Sequence, residues 1–174
     1  QKMTEAQVSR ALCICTTMEE FDQVHHLAQT HNNFWSTVGV HPDNDDVQEP
    51  TLNDLLTRSQ LPRVVGIGET GLDYYRLNGR SLADMAWQRD RFATHIAAAR
   101  ATDLPLVVHT RSASTDTIDM LRSEGGCAVG GGACAGGRHP SWSARPGERV
   151  LLFERSGSGH PDRPTGWPRT GGLY

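Results

Sequence analysis

The sequence predicts an α/β fold, a parallel sheet with helical crossovers, over roughly its first 124 residues. Segments of helical period alternate with short apolar, β-branched runs, the signature of strand–helix–strand units. Those runs are almost continuously apolar, as strands buried on both faces must be. Three of them, in succession, end in a side chain able to carry a proton or a metal. An open doubly wound sheet and part of a (β/α)₈ barrel both satisfy this pattern.

The elements follow in order. Residues 11–15 read as the first strand, with Cys13 and Cys15 on one face as buried packing rather than a metal clip. Thr17-Met18-Glu19-Glu20 is a capping-box pattern. It opens a helix with Phe21, Val24, Leu27 and Ala28 on its inner face. Residues 34–40 form the second strand, 52–59 a weaker helix, and 63–68 the third strand. Leu82, Met85, Ala86, Phe92 and Ile96 mark a longer helix over about 82–102, and 105–108 make the fourth strand. Ser114 or Thr115 then caps a helix with Ile118 and Leu121 inward and Gly125 as its stop.

After that stop the composition breaks. Residues 123–174 hold 13 of the 18 Gly and 5 of the 9 Pro, and only 150–153 could pass for a strand. Such text cannot bury enough apolar surface to offset the entropy of ordering. The expected organisation is therefore a domain over 1–124 and an irregular or disordered tail over 125–174.

Composition excludes several classes of function. No apolar run is long enough to span a membrane. The opening Gln1-Lys2-Met3-Thr4-Glu5 lacks the layout of a secretory leader, and Gln1 suggests an internal start. A formal charge of −3 argues against a non-specific polyanion binder while leaving a local site for DNA open. Four Cys without an export signal suit a reducing, cytoplasmic compartment.

The polar residues at the strand ends are more informative. His41 follows Val38-Gly39-Val40, Glu69 follows Val64-Val65-Gly66-Ile67-Gly68, and His109 follows Leu106-Val107-Val108. In parallel α/β folds the carboxyl ends of strands gather on one rim, where sites are built. A carboxylate and imidazoles converging there suit a divalent metal. Glu69 and His109 are the expected ligands, and His41 is the candidate third.

Gly66-Ile67-Gly68-Glu69-Thr70-Gly71 also matches the dinucleotide fingerprint. That loop works by presenting bare backbone N–H groups to a pyrophosphate, where Glu69 would set a carboxylate. Leu72 to Gly79 is no apolar-faced helix either, so no nucleotide cofactor is expected.

Together, Val38-Gly39-Val40-His41-Pro42, the block from Val65 to Arg76, and Leu104 to Arg111 resemble the TatD family of metal-dependent deoxyribonucleases. Gln88-x-x-x-Phe92 and the Ala-rich run 97–101 also fit its pattern, and the resemblance covers about 5–124. It implies a (β/α)₈ TIM-type barrel, here a partial one holding about strands two to five. It also implies one or two divalent ions (Mg, Mn or Zn) and hydrolysis of DNA phosphodiesters by metal-activated water. On this resemblance Glu69 is the bridging carboxylate and His109 a ligand. His41, Asp73, Arg76 and Arg111 stand at motif positions for substrate, either Arg able to hold a phosphate bidentately.

The departures are equally specific. The family's opening His-x-His strand has no counterpart, because no His precedes His25, and His25-His26 falls in a helix. The later ligand His and the closing Glu-Thr-Asp are not readable after Glu124, and Ser112 stands where an acid is usual. A reading-frame shift near codon 126 of a GC-rich gene, plus a missing start, is the hypothesis that would account for both the tail composition and the abrupt loss of pattern. The expected activity is therefore an impaired deoxyribonuclease. The alternatives are a non-catalytic remnant and a related hydrolase with a non-nucleic substrate.

Overall fold

Sheet hydrogen bonds join backbones and ignore side chains, so the strands extend past the charged residues at which their apolar runs stop. The structure, a computed structural model, describes residues 2–124 and the backbone of 150–154. Its elements are α1 (Lys2–Glu5), β1 (Ala11–Cys13), α2 (Phe21–Thr30), β2 (Phe34–Val38), α3 (Leu52–Ser59) and β3 (Val64–Asp73). A 3₁₀ turn (Ala83–Met85) leads into α4 (Ala86–Thr102), followed by β4 (Leu106–Arg111), α5 (Ser114–Glu124) and β5 (Val150–Glu154). The strands pair in parallel in the order β1-β2-β3-β4-β5. Doubly wound sheets reverse strand order at a switch point. This sheet does not, and its unbroken order is that of successive strands in a (β/α)₈ barrel.

The helices form where expected, with differences in which face turns in. Thr17 and Glu20 make the reciprocal capping bonds, Glu20 N–H to Thr17 Oγ1 at 3.2 Å and Thr17 N–H to Glu20 Oε1 at 3.2 Å. In α2 the buried residues are Phe21, His25 and Ala28, whereas Leu27, expected inward, is 43% exposed. His25 is admitted because its Nε2 lies 2.8 Å from the Pro62 carbonyl and its ring stacks on Phe21. Helix α3 has a second capping box, Thr51 with Asp54, that its weak apolar pattern concealed. Leu82 and Ala86 face solvent, while Met85, Phe92 and Ile96 are buried as expected. In α5 it is Thr117 and Leu121 that turn in.

Phe21, Val38, Leu55, Ile67, Phe92, Ile96, Leu106 and Val108 anchor the core between the sheet and its helices. Strand β4 is buried along its whole length, whereas β1 is only half-buried. The fingerprint glycines lie inside β3, not in a turn entering a helix. Gly68 and Gly71 have φ of +133° and +130°, and a Cβ on either would fall 2.4 and 2.0 Å from the carbonyl oxygens of Val107 and His109. They are glycine because β4 runs so close.

Residues 150–154, which contain the one stretch of the tail that could pass for a strand, pair as β5 alongside β4. The disorder expected over 125–149 and 155–174 lies outside the described residues, as does the stop at Gly125. Among the described residues no helix is long and apolar enough to cross a membrane.

Candidate metal centre

The site begins with a bulge. Between Ile67 and Thr70, β3 carries one residue more than the facing stretch of β4. The Gly68–Glu69 peptide there is cis. Bulges re-aim side chains beside active sites, and this one holds Glu69, whose N–H donates to the Cys15 carbonyl at 2.9 Å. Glu69 and His109 thus project from within β3 and β4 rather than following them. His41 alone comes from a loop, just after β2.

These three side chains converge. His41 Nε2 is 3.8 Å and His109 Nδ1 3.4 Å from Glu69 Oε1. All three ligand atoms lie within 4.8 Å of one another. Two ligands about 2.1 Å from one ion stand at most about 4.2 Å apart. The two contacts to Glu69 already meet that limit, and the third pair needs to close by less than an ångström. The donor set fits a divalent cation.

Behind the cluster, Asp73 does the orienting. Its Oδ2 lies 3.0 Å from His109 Nε2. With the proton on Nε2, the Nδ1 lone pair faces Glu69, the carboxylate–histidine arrangement found behind metal-bound imidazoles. The Arg111 fork closes on the same carboxylate, Nε to Oδ1 at 2.9 Å and Nη2 to Oδ2 at 2.5 Å, and the Tyr75 N–H adds a bond to Oδ1 at 3.0 Å.

Charge follows from this wiring. Burial opposes ionisation of Glu69, but the approach of His109 and the charge of His41 outweigh it and hold the carboxyl below its usual range. Burial likewise opposes ionisation of Asp73, and bonds from His109 and Arg111 pull it well below the ordinary aspartate range. Burial, then the nearby His109, pushes His41 down, favouring the neutral imidazole that a metal needs. Burial also acts on His109, yet its bonds to Asp73 and Glu69 prevail and raise it. Two carboxylates around one imidazole hold a proton with the same negative charge that attracts a cation.

Sequence reasoning placed Asp73, Arg76 and Arg111 at the substrate. The Asp73 side chain has no exposed surface and holds His109 from behind, so it offers no face to a substrate. Arg111 is 9% exposed, with its fork taken by Asp73 and its face over the Tyr75 ring. Arg76 is 61% exposed and, among the described residues, pairs with Asp43 at 3.5 Å, leaving it the accessible cation of the two arginines. His41, the candidate third ligand that the resemblance also set at a substrate position, sits among the ligand atoms. Asp43, which approaches both Arg76 and Arg111, was missed, as were the buried Arg91 and His95 of α4, while Gln88 was noted only as part of the resemblance. The α4 signal was present as a polar stripe at positions 88, 91 and 95, a helical period interleaved with Phe92 and Ile96.

The chain is similar to known proteins. The TatD related DNase family matches residues 1–135. A metal-dependent hydrolase named TatD from Mycobacterium tuberculosis is 34% identical over 129 residues, covering 72% of this chain and 48% of the relative. A relative from Enterobacter lignolyticus named 3'-5' ssDNA/RNA exonuclease TatD is 36% identical over 117 residues, covering 67% and 44%. The crystal structure of YjjV, a TatD homologue from Escherichia coli, superposes with a TM-score of 0.62 at 25% identity over 71% of this chain and 48% of that one. The chain spans about half the length of the curated relatives it matches.

Proposed function

This chain belongs to the TatD family of metal-dependent hydrolases, and from that premise we propose that it hydrolyses phosphodiester bonds of DNA. His41, Glu69 and His109 would hold one or two divalent cations, Mg²⁺, Mn²⁺ or Zn²⁺. The convergence of these three ligand atoms within 4.8 Å carries the reading. The exonuclease name of one relative supports a nucleic-acid substrate.

A bound cation supplies Lewis acidity, polarising a phosphoryl oxygen and acidifying water. The chain's residues do the rest. Glu69, held ionised by its imidazole neighbours, would accept the proton of an attacking water. Asp73 keeps the His109 proton on Nε2, so that the Nδ1 lone pair stays free for a cation. Arg76, exposed beside Asp43, would take a phosphate of the flanking strand.

Single-stranded DNA incubated with the chain and Mg²⁺ or Mn²⁺ tests this reading. Acid-soluble nucleotides should appear, should stop with a chelator, and should fall at least about 100-fold in Glu69→Gln. Hydrolysis of a phosphomonoester or an amide in place of DNA would overturn the substrate. Loss of metal binding with no hydrolysis of any of them would identify a non-catalytic remnant.

A further inference from the structure

Helix α4 supplies no ligand atom, yet it touches both halves of the metal centre. Gln88 is 1% exposed. Its Oε1 accepts from the Asp73 N–H at 2.9 Å, and its Nε2 donates to the Pro42 carbonyl at 2.8 Å and to the Asp73 carbonyl at 3.2 Å. One amide therefore clamps both backbone groups of Asp73 and the residue that follows His41. Asp73 orients His109, and Pro42 is bonded to His41. We propose that Gln88 is a positioning residue for the centre, setting the span between the His41 loop and the Asp73–His109 pair. The inference rests on the metal-hydrolase reading above.

Elementary chemistry makes the amide specific. The position needs one acceptor and two donor hydrogens on a single short fork, and only a primary amide provides both. Glutamate keeps the acceptor but turns an oxygen toward two carbonyls. Methionine keeps the length and loses every bond. Arg91 reinforces the same loop through the carbonyls of His41 and Asn44, each at 2.7 Å, but it does not reach β3. Gln88 alone among these α4 side chains bonds to both sides.

The test uses the full chain, Mn²⁺ alone as the probe, and the resonance of free Mn²⁺ as the readout. Gln88→Glu should bind Mn²⁺ about 10–100-fold more weakly, the range seen when groups behind a metal ligand are lost. Phe92→Leu, a buried neighbour on α4 with no bond to the site, should change Mn²⁺ affinity less than twofold while also lowering stability in urea. In the cation-free chain, the imidazole ¹⁵N signals of His41 and His109 should move in Gln88→Glu and stay in place in Phe92→Leu. If Gln88→Glu does not fold, Gln88→Met carries the same expectations. Unchanged Mn²⁺ affinity with unmoved imidazole signals overturns the positioning role. Wild-type chain that binds no Mn²⁺ overturns the metal reading instead, and the imidazole signals alone then decide the role of Gln88.

Discussion

The rim cluster of His41, Glu69 and His109 and the α4 cluster of Gln88, Arg91 and His95 are both drawn inside the protein, but only the second is complete without a ligand. His95 is fully buried, its Nδ1 2.7 Å from the Arg91 carbonyl and its Nε2 accepting from the Val40 N–H at 3.0 Å. Arg91 pairs with Glu49 and two carbonyls while stacking on Trp87. Each donor there has an acceptor, as buried polar groups require. At the rim a carboxylate and two imidazoles face one another with bonding capacity left over. Two buried histidines thus acquire opposite character. Burial pushes His95 down to about 4, whereas His109 is raised by its carboxylates in spite of burial. The surroundings, not the residue type, separate an imidazole closed by hydrogen bonds from one facing carboxylates.

The contrast can be tested where it is sharpest. Arg91→Ala should cost about 3 kcal/mol in urea unfolding, because it strips the donors from two carbonyls and leaves a buried void. The figure sits at the low end for a broken buried pair, since Glu49 is half-exposed and recovers water. An unchanged midpoint would deny that the α4 cluster is structural.

Acid comes next. The folded value of His95 lies below its ordinary value near 6.5, so its contribution is whole above that pH and drains away as pH falls toward 4. About 2 kcal/mol should be gone by pH 5, and His95→Gln should flatten that limb. His109 has the opposite sign. Its raised value makes the stabilising charge pairing full below the ordinary imidazole range and lost as pH climbs through the folded value. In the metal-free chain His109→Gln should therefore leave the acid limb steep. Stability curves against pH for the two variants check both statements.

The smallest effect concerns the face of α2. Leu27→Lys should shift stability by no more than about 0.5 kcal/mol, because the side chain is 43% exposed. A larger loss by thermal unfolding would restore the apolar face that the sequence pattern drew.

Much of this molecule is legible without coordinates. Alternating periods mark the helices and strands, and three polar residues after apolar runs mark the rim. The reading faltered where pairing overrides local pattern. Strands β3 and β4 continue through Glu69 and His109 because a neighbouring backbone is there to bond with, a fact no window of sequence contains. The surroundings of Asp73 were hidden for the same reason, since nothing in the local sequence shows Arg111 and His109 closed around its carboxylate.

By itself, then, the sequence determined the layer type, the family and the residues with metal chemistry, because those depend on side-chain identity and spacing along the chain. Tertiary structure alone decided that the strands keep chain order, that a bulge turns Glu69 toward two imidazoles, and that a glutamine on α4 grips both sides of the centre. Those outcomes depend on which backbones come within hydrogen-bonding distance, and distant segments meet only when the chain has folded.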